Sequence, residues 1–110
     1  MVGAASSTIP HTRMNFSNFG SRIDCYGWGE NVDTATSTTA MPFSTTAYTG
    51  GFSGTSSALP IVTGAALLIQ GIAENGLGFR FSAWQMRALL SDPATGTPSN
   101  NPAVDRIGVM

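Results

Sequence analysis

Ser56 is the residue in this sequence best placed to act as a nucleophile. It follows Gly54 and Thr55 and stands at the start of a long apolar segment that is predicted to be helical. The first N–H groups of a helix have no partner within the helix and carry the positive end of its dipole. An oxyanion formed when Ser56 attacks a carbonyl would therefore meet a donor already in place, the N–H of Ser56 itself. The arrangement suits a nucleophilic serine, and Gly54 allows a sharp turn and the close approach of a substrate.

A purely structural role is the alternative interpretation of Ser56. Serine is one of the preferred N-cap residues of helices. Serine and threonine are also abundant in this chain, so one more at the start of a helix is not unusual. The spacing by itself therefore leaves both roles open.

The residues around Ser56 form a longer pattern. The segment resembles the nucleophile motif of subtilisin-like serine proteases, G-T-S-x-A-x-P-x-V-x-G, and matches it at seven fixed positions. The matching residues are Gly54, Thr55, Ser56, Ala58, Pro60, Val62 and Gly64. Ser57 stands where this family usually has Met, and Ile61 stands where it usually has His, which is not its catalytic histidine.

Shorter stretches resemble the same family in the same order along the chain. Val2-Gly3-Ala4 resembles its V-G-A strand, and residues 16–20 resemble its F-S-x-x-G loop. Residues 23–29 resemble its L-D-V-x-A-P-G stretch with Trp28 in place of Pro, and residues 106–109 resemble its closing strand. The resemblance covers essentially the whole chain and corresponds to the C-terminal third of the family's catalytic domain.

The resemblance implies an Asp-His-Ser triad in which Ser56 attacks the scissile carbonyl, a histidine accepts its proton and an aspartate orients the histidine. The D-[ST]-G and H-G-T motifs that hold the other two residues do not occur in this sequence. The family's side-chain oxyanion donor, an Asn, is likewise expected before Met1. The implied function is a serine-type endopeptidase in the complete protein, whereas the isolated chain is expected to be inactive.

The implied partners are a peptide or protein substrate and the missing N-terminal part of the catalytic domain. The family also implies a secreted or periplasmic location, although no basic region and apolar run of a signal peptide follow Met1. Two alternatives from other classes remain. The chain could be a non-catalytic remnant, or a binding or complementing module that reuses the scaffold.

The other reactive side chains predict no second site. His11, the only histidine, lies in a stretch that matches an exposed loop of the family and is interpreted as a surface residue. Asp24 aligns near a weak cation site of some subtilases, but the neighbouring Arg22 argues against a cation, and Asp33 is interpreted as a solvated carboxylate. The single cysteine, Cys25, excludes an internal disulfide and a multi-cysteine zinc site, and is predicted to be a buried, inert thiol. We expect no metal and no cofactor here, with calcium possible only in the full-length family.

The elements that must position Ser56 predict an α/β fold class. The expected architecture is a partial subtilisin-like fold, the C-terminal third of a three-layer domain with a parallel sheet and a buried nucleophile helix. The first predicted region is a strand and loop region at 1–33, with strands at 1–4 and 22–26 and a turn at 26–29. A Ser/Thr/Gly-rich segment follows at 34–53 and is either a loop or a hairpin. The remaining regions are the motif and buried helix at 54–75, a second helix at 82–90 and a strand at 105–110.

The nucleophile helix is apolar on nearly every face, which is typical of a helix buried in a sizeable domain. Proline fits in the first turn of a helix, so Pro60 predicts a start between residues 56 and 59. Asn75 or Gly76 is expected to take the left-handed cap at its end. The apolar stretch at 58–73 is shorter than the roughly 20 residues that cross a bilayer, so no membrane span is predicted. Alone, the chain offers too few elements to cover this helix.

Composition excludes one further class. The length of 110 residues suits one small domain or part of a larger one, and only 10% of the residues are charged. The chain has no lysine and a net charge of −1, so it cannot neutralise a phosphate backbone. A nucleic-acid partner is therefore not expected.

Overall fold

Two small sheets and two helices make up the computed structural model, which describes residues 1–37, 43–97 and 99–101. The elements in chain order are β1 (Val2–Ala5), β2 (Cys25–Trp28), β3 (Val32–Thr36), β4 (Ala47–Phe52), α1 (Thr55–Leu77) and α2 (Ala83–Ser91), followed by a 3-10 turn at Pro93–Thr95. β1 and β2 are parallel, with Val2 opposite Cys25 and Ala5 opposite Trp28. β3 and β4 form a separate antiparallel pair. A parallel pair combined with helices is compatible with the α/β class.

The buried core lies where α1 crosses the parallel pair. Ala4 and Ala58 are completely buried, and Val62 and Tyr26 are 5% and 1% exposed. Gly27 of β2 allows the closest approach, because a Cβ atom at this position would lie 2.5 Å from the carbonyl oxygen of Ala58. A glycine inside a strand often marks such a close approach of another backbone. The first turns of α1 therefore rest directly on β2.

The structure differs from the sequence prediction for the second strand and resolves the choice for the segment after it. Residues 27 and 28 belong to β2 rather than to a turn, because they pair with Ala4 and Ala5 of β1. Residues 34–36 and 47–52 of the Ser/Thr/Gly-rich segment lie in the antiparallel pair of β3 and β4, in line with the hairpin alternative. The strand predicted at 105–110 lies outside the described residues.

Both ends of α1 differ from the prediction. The helix begins at Thr55, so Pro60 lies in its second turn rather than its first. The helix continues through Gly76 and ends at Leu77, and Gly78 takes the left-handed cap with φ 72°. The capping chemistry was predicted correctly, but on the wrong glycine.

In this chain taken alone most of α1 is exposed, as the shortage of elements to cover it predicts. Leu67, Leu68 and Ile72 are 69%, 70% and 70% exposed. The parallel pair covers only one side of α1, and its buried residues are Ser57, Ala58, Val62 and Ala73. The exposed side is the surface that the sequence predicted a partial domain would leave uncovered.

α1 is also long and apolar enough to cross a membrane by length and composition, with 23 residues and only 22% of its most apolar window buried. The prediction that the apolar segment is too short to span a membrane is therefore wrong. Core helices of soluble proteins also have this length and composition.

α2 is held by local and tertiary hydrogen bonds. Ser82 is its N-cap, and its hydroxyl accepts a bond from the Gln85 N–H while the Gln85 side chain accepts one from the Ser82 N–H. This reciprocal pair is the capping box. The side chain of Gln70 in α1 bonds both backbone groups of Phe81, at 2.9 and 3.1 Å, and so ties α1 to the segment that leads into α2.

An ion pair fastens α2 to the start of β2. Arg87 donates to Oδ1 of Asp24 through Nε at 2.8 Å and Nη2 at 2.7 Å, and the Met1 ammonium contacts Oδ2. Desolvation acts to raise the pKa of Asp24, but the hydrogen bonds and charges of the ammonium and Arg87 outweigh it and hold the pKa below its usual value. The carboxylate is therefore stabilised in its charged form by folding.

We expect the attachment of α2 to weaken in acid. A carboxyl whose pKa is lowered by folding adds stability above its unfolded pKa of about 3.9, and this stability is lost as the pH falls through the lower folded pKa. Urea unfolding followed from about pH 6 to about pH 2 should show this loss in the wild type and not in Asp24→Asn. Asp33→Asn, at an exposed carboxylate of β3, should keep the wild-type profile. Identical profiles for the wild type and Asp24→Asn would contradict the assignment.

Candidate functional site

The turn that leads from β4 into α1 is shaped by Gly54. Its backbone angles are φ 117° and ψ 172°, a region that is open essentially to glycine alone. Its N–H donates to the carbonyl oxygen of Gly29 at 2.9 Å, just beyond the end of β2. Gly54 is therefore required by backbone conformation, as the sequence predicted from its position before the serine.

Ser57, not Ser56, makes the side-chain hydrogen bonds in this turn. Ser57 is only 1% exposed. Its hydroxyl lies 2.7 Å from the carbonyl oxygen of Gly54 and 3.0 Å from that of Trp28, and donates toward both. The Gly54 carbonyl also accepts from the N–H groups of Ser57 and Ala58, at 3.1 and 3.4 Å.

Ser56 is the second residue of α1, and its side chain is exposed. The N-cap of α1 is Gly54, which makes no side-chain cap bond, so the interpretation of Ser56 as an N-cap is wrong. Within the part of the chain that the structure describes, the Ser56 hydroxyl has no hydrogen-bond partner. Its N–H belongs to the first turn, where backbone donors have no intrahelical acceptor. A free hydroxyl and a free N–H thus lie together at the positive end of a 23-residue helix.

Two further features affect the electrostatics and backbone of this helix start. The first turn of α1 contains no acidic residue, so no side-chain charge there opposes an incoming anion. Pro60 lacks the N–H that would bond to the Ser56 carbonyl four positions earlier, so that carbonyl lies outside the regular helical ladder. Thr55, the first residue of the helix, is exposed beside Ser56.

His11 does not supply a base to Ser56. It is 2% exposed, so its interpretation as a surface histidine is wrong. Its Nδ1 lies 2.6 Å from the carbonyl oxygen of Ser6, and its own carbonyl accepts from the Asn100 N–H at 2.7 Å. These contacts hold the ring inside the connection between β1 and β2. No hydrogen bond joins it to Ser56 among the described residues.

The remaining candidates form no second reactive site in the described ranges. Both carboxylate oxygens of Asp24 are engaged by cationic groups of the protein, and Asp33 is exposed on β3. No three His, Cys, Asp or Glu side chains described by the structure lie together so that they could hold a metal ion. Cys25 is a buried free thiol, as predicted, and desolvation raises its pKa. The thiolate that would be needed for nucleophilic chemistry is therefore disfavoured.

The clearest polar cavity lies away from Ser56. It has a volume of about 340 Å³ and lies beside Asp24, Trp84 and Arg87. The floor of this cavity is the ion pair that attaches α2, which accounts for its polarity. Ser56 itself is exposed and lines none of the described cavities.

Sequence reasoning missed three contributors to the turn. They are the carbonyl groups of Trp28 and Gly29 and the hydroxyl of Ser57. The backbone groups carry no sequence signal, because any residue has a carbonyl. The signal at Ser57 was a polar residue at a position where the resembled motif usually has an apolar one, and it was treated only as variation.

The amino-acid sequence of the chain was also compared with models of protein families. Residues 1–108 match the model of the subtilase family. No protein with a curated description matches the chain in a sequence search.

Proposed function

Since the chain belongs to the subtilase family, we propose that Ser56 is the nucleophile of a serine-type endopeptidase. The observation that carries this proposal is the contrast between two neighbouring serines. Ser57 is buried with its hydroxyl bonded in the turn, whereas Ser56 is exposed with no hydrogen-bond partner among the described residues. A nucleophile needs the second arrangement, because its oxygen must reach a substrate carbonyl.

The proposed reaction proceeds through an acyl-enzyme. The Ser56 Oγ bonds to the scissile carbonyl carbon while a histidine takes its proton, and the tetrahedral oxyanion accepts a hydrogen bond from the Ser56 N–H. The C–N bond then breaks, and the histidine gives the proton to the leaving amine. Water, deprotonated by the same histidine, attacks the ester and releases the second peptide with Ser56 restored.

The base must come from outside the residues of this chain. A serine hydroxyl without a base is a weak nucleophile. The single histidine of the sequence is buried and bonded to the Ser6 carbonyl. We propose that another part of the complete catalytic domain supplies the histidine, its aspartate partner and a side-chain oxyanion donor. The 110 residues alone are then inactive.

The uncovered side of α1 supports this arrangement. Its leucines and Ile72 form an apolar surface that water does not favour. Parallel sheets in α/β proteins are covered on both faces, and the two-stranded pair here is covered by α1 on one. We propose that the remaining part of a subtilisin-like domain packs against this surface, which makes α1 a core helix and not a membrane span. A secreted or periplasmic location follows from the family as part of the same proposal.

A fluorophosphonate probe tests the assignment, because it reacts covalently with an activated serine. We expect no labelling of the isolated chain. We expect labelling at Ser56, located by peptide mass spectrometry, once a subtilase segment with the D-[ST]-G and H-G-T motifs is added or fused before Met1. Ser56→Ala should remove the label and Ser21→Ala, at an exposed serine, should keep it.

Three outcomes would count against the proposal. Labelling of Ser56 in the isolated chain would show that the chain carries its own base. Labelling of a different serine would move the nucleophile. A complemented domain that is folded and still unlabelled would favour a non-catalytic remnant or a binding module.

A further inference from the structure

We propose that Ser57 is a positioning residue for Ser56, and that its buried hydroxyl fixes the turn that presents the nucleophile. This role rests on the proposed function of Ser56. It is assigned from the hydrogen bonds of the turn and concerns a residue where the resembled motif usually has Met.

The hydroxyl of Ser57 joins two parts of the chain that are far apart in sequence. It lies 2.7 Å from the Gly54 carbonyl oxygen, three positions before it, and 3.0 Å from the Trp28 carbonyl oxygen, 29 positions before it. A serine has one proton to donate, so the two oxygens share it. One buried group therefore connects the end of β2 with the start of α1.

This connection sets the direction in which the Ser56 side chain projects. Consecutive residues of a helix project about 100° apart around its axis. When the Ser57 side chain is held toward β2, the Ser56 side chain must project away from it, toward the exposed side. The Ser56 N–H is restrained as well, because Gly54, two positions earlier, is held by its own bond to Gly29.

The backbone at the start of α1 is held by fewer restraints than the first turn of an ordinary helix. Pro60 removes the bond that would tie the Ser56 carbonyl to the next turn. Gly54 is the most flexible residue type, and no side chain caps the helix. The Ser57 hydroxyl supplies the missing restraint.

Ser57 does not act on substrate itself. It is 1% exposed and both oxygens that it contacts belong to the protein backbone. Its effect must therefore appear in the rate of the chemical step rather than in substrate binding. A misplacement of about 1 Å at a reacting group can cost about 100-fold in rate.

The first measurement compares Ser57→Ala with the wild type in the complemented, active domain. Titration with the fluorophosphonate counts active sites, so that kcat is expressed per working site. We expect kcat per site to fall about 10- to 100-fold, with KM within about twofold. Ser21→Ala should change neither. A normal kcat per site with fewer titratable sites would overturn the proposal, because it would show a role in folding alone.

The second measurement is independent of activity and uses the 110-residue chain. The N–H groups of Gly54, Ser57 and Ala58 are hydrogen bonded in the turn. We expect their hydrogen exchange to be at least about tenfold faster in Ser57→Ala, with exchange in α2 unchanged as the internal control. Ser56→Ala should leave all these rates at the wild-type level. Unchanged exchange of the turn in Ser57→Ala would overturn the proposal even if no activity can be measured.

The two measurements separate the two proposals. One outcome is faster exchange in Ser57→Ala together with no fluorophosphonate labelling of the complemented wild-type domain. This outcome would overturn Ser56 as the nucleophile, while the restraint of the turn by Ser57 would stand. Labelled Ser56 with equal exchange and equal kcat in Ser57→Ala would overturn only the positioning role.

Discussion

We expect Ser56→Ala to abolish the peptide hydrolysis that we propose for the complete domain and to leave the stability of this chain nearly unchanged. The expected loss in kcat is about 10⁶-fold, the scale known for removal of the nucleophile from a subtilisin. The expected change in the free energy of unfolding is within about 0.5 kcal/mol, because the side chain is exposed and its hydroxyl bonds to no described residue. The combination of a large kinetic effect and a small structural effect distinguishes a catalytic serine from a capping serine.

The measurement is hydrolysis of a chromogenic peptide by the complemented domain, together with urea unfolding of the 110-residue chain. Ser21→Ala is the matched control, and it should retain activity and stability. Hydrolysis by Ser56→Ala at even one-hundredth of the wild-type rate would place the nucleophile elsewhere. A loss of stability of about 1 kcal/mol or more would restore the capping role.

We expect Gly27→Ala to separate α1 from β2. The added Cβ would lie 2.5 Å from the Ala58 carbonyl oxygen and 3.1 Å from both its carbonyl carbon and Cα. These are backbone atoms of a helix, so no side-chain rotation relieves the contact. Overpacking of this kind costs about 1 to 3 kcal/mol or more. A chain with so small a buried core should lose the native contact between strand and helix.

Amide hydrogen exchange of α1 and thermal unfolding followed by circular dichroism measure this effect. We expect faster exchange in β2 and in the first turns of α1, and a lower midpoint of unfolding. Gly51→Ala in β4 is the control, because the nearest atom to its added Cβ is 3.9 Å away. A Gly27→Ala variant as stable as Gly51→Ala would show that α1 does not rest on β2 as described.

Local sequence signals were sufficient wherever neighbouring residues decide the structure. The start of α2 was predictable, because Ser82 and Gln85 bond to each other across a single turn. The motif around Ser56 also identified the glycine that the turn requires, since the φ of 117° at Gly54 suits no other residue type.

Glycines were the main source of error, because a glycine has several uses that look alike in a sequence. Gly27 was interpreted as a turn, but it lies within a strand and provides space for the Ala58 carbonyl. Gly76 was interpreted as the end of α1, but the left-handed conformation occurs at Gly78. The role of each glycine is decided by a contact or a backbone conformation in the folded chain. The residue types around the glycine do not show which contact or conformation that is.

The parts of the site that could not be predicted depend on contacts between distant residues. The buried His11 contacts the Ser6 carbonyl through its ring, and its own carbonyl contacts the backbone of Asn100, which is far away in the sequence.

The predicted start of α1 is wrong because the prediction allows proline only in the first turn of a helix. The structure accommodates Pro60 in the second turn, with the packing of Ala58 and Val62 holding the helix on the sheet.

The long separation between Trp28 and Ser57 has a consequence for when this chain becomes reactive. Their bond spans 29 positions, and contacts between distant residues form late in folding because a loop must close first. Under the proposed function, Ser56 of a newly synthesised or partly folded chain would be an ordinary alcohol. Its activation would require that the helix has docked on the strand and that the rest of the domain has assembled around it. Folding would then delay the reactivity that we propose for Ser56, and immature chains would not digest one another.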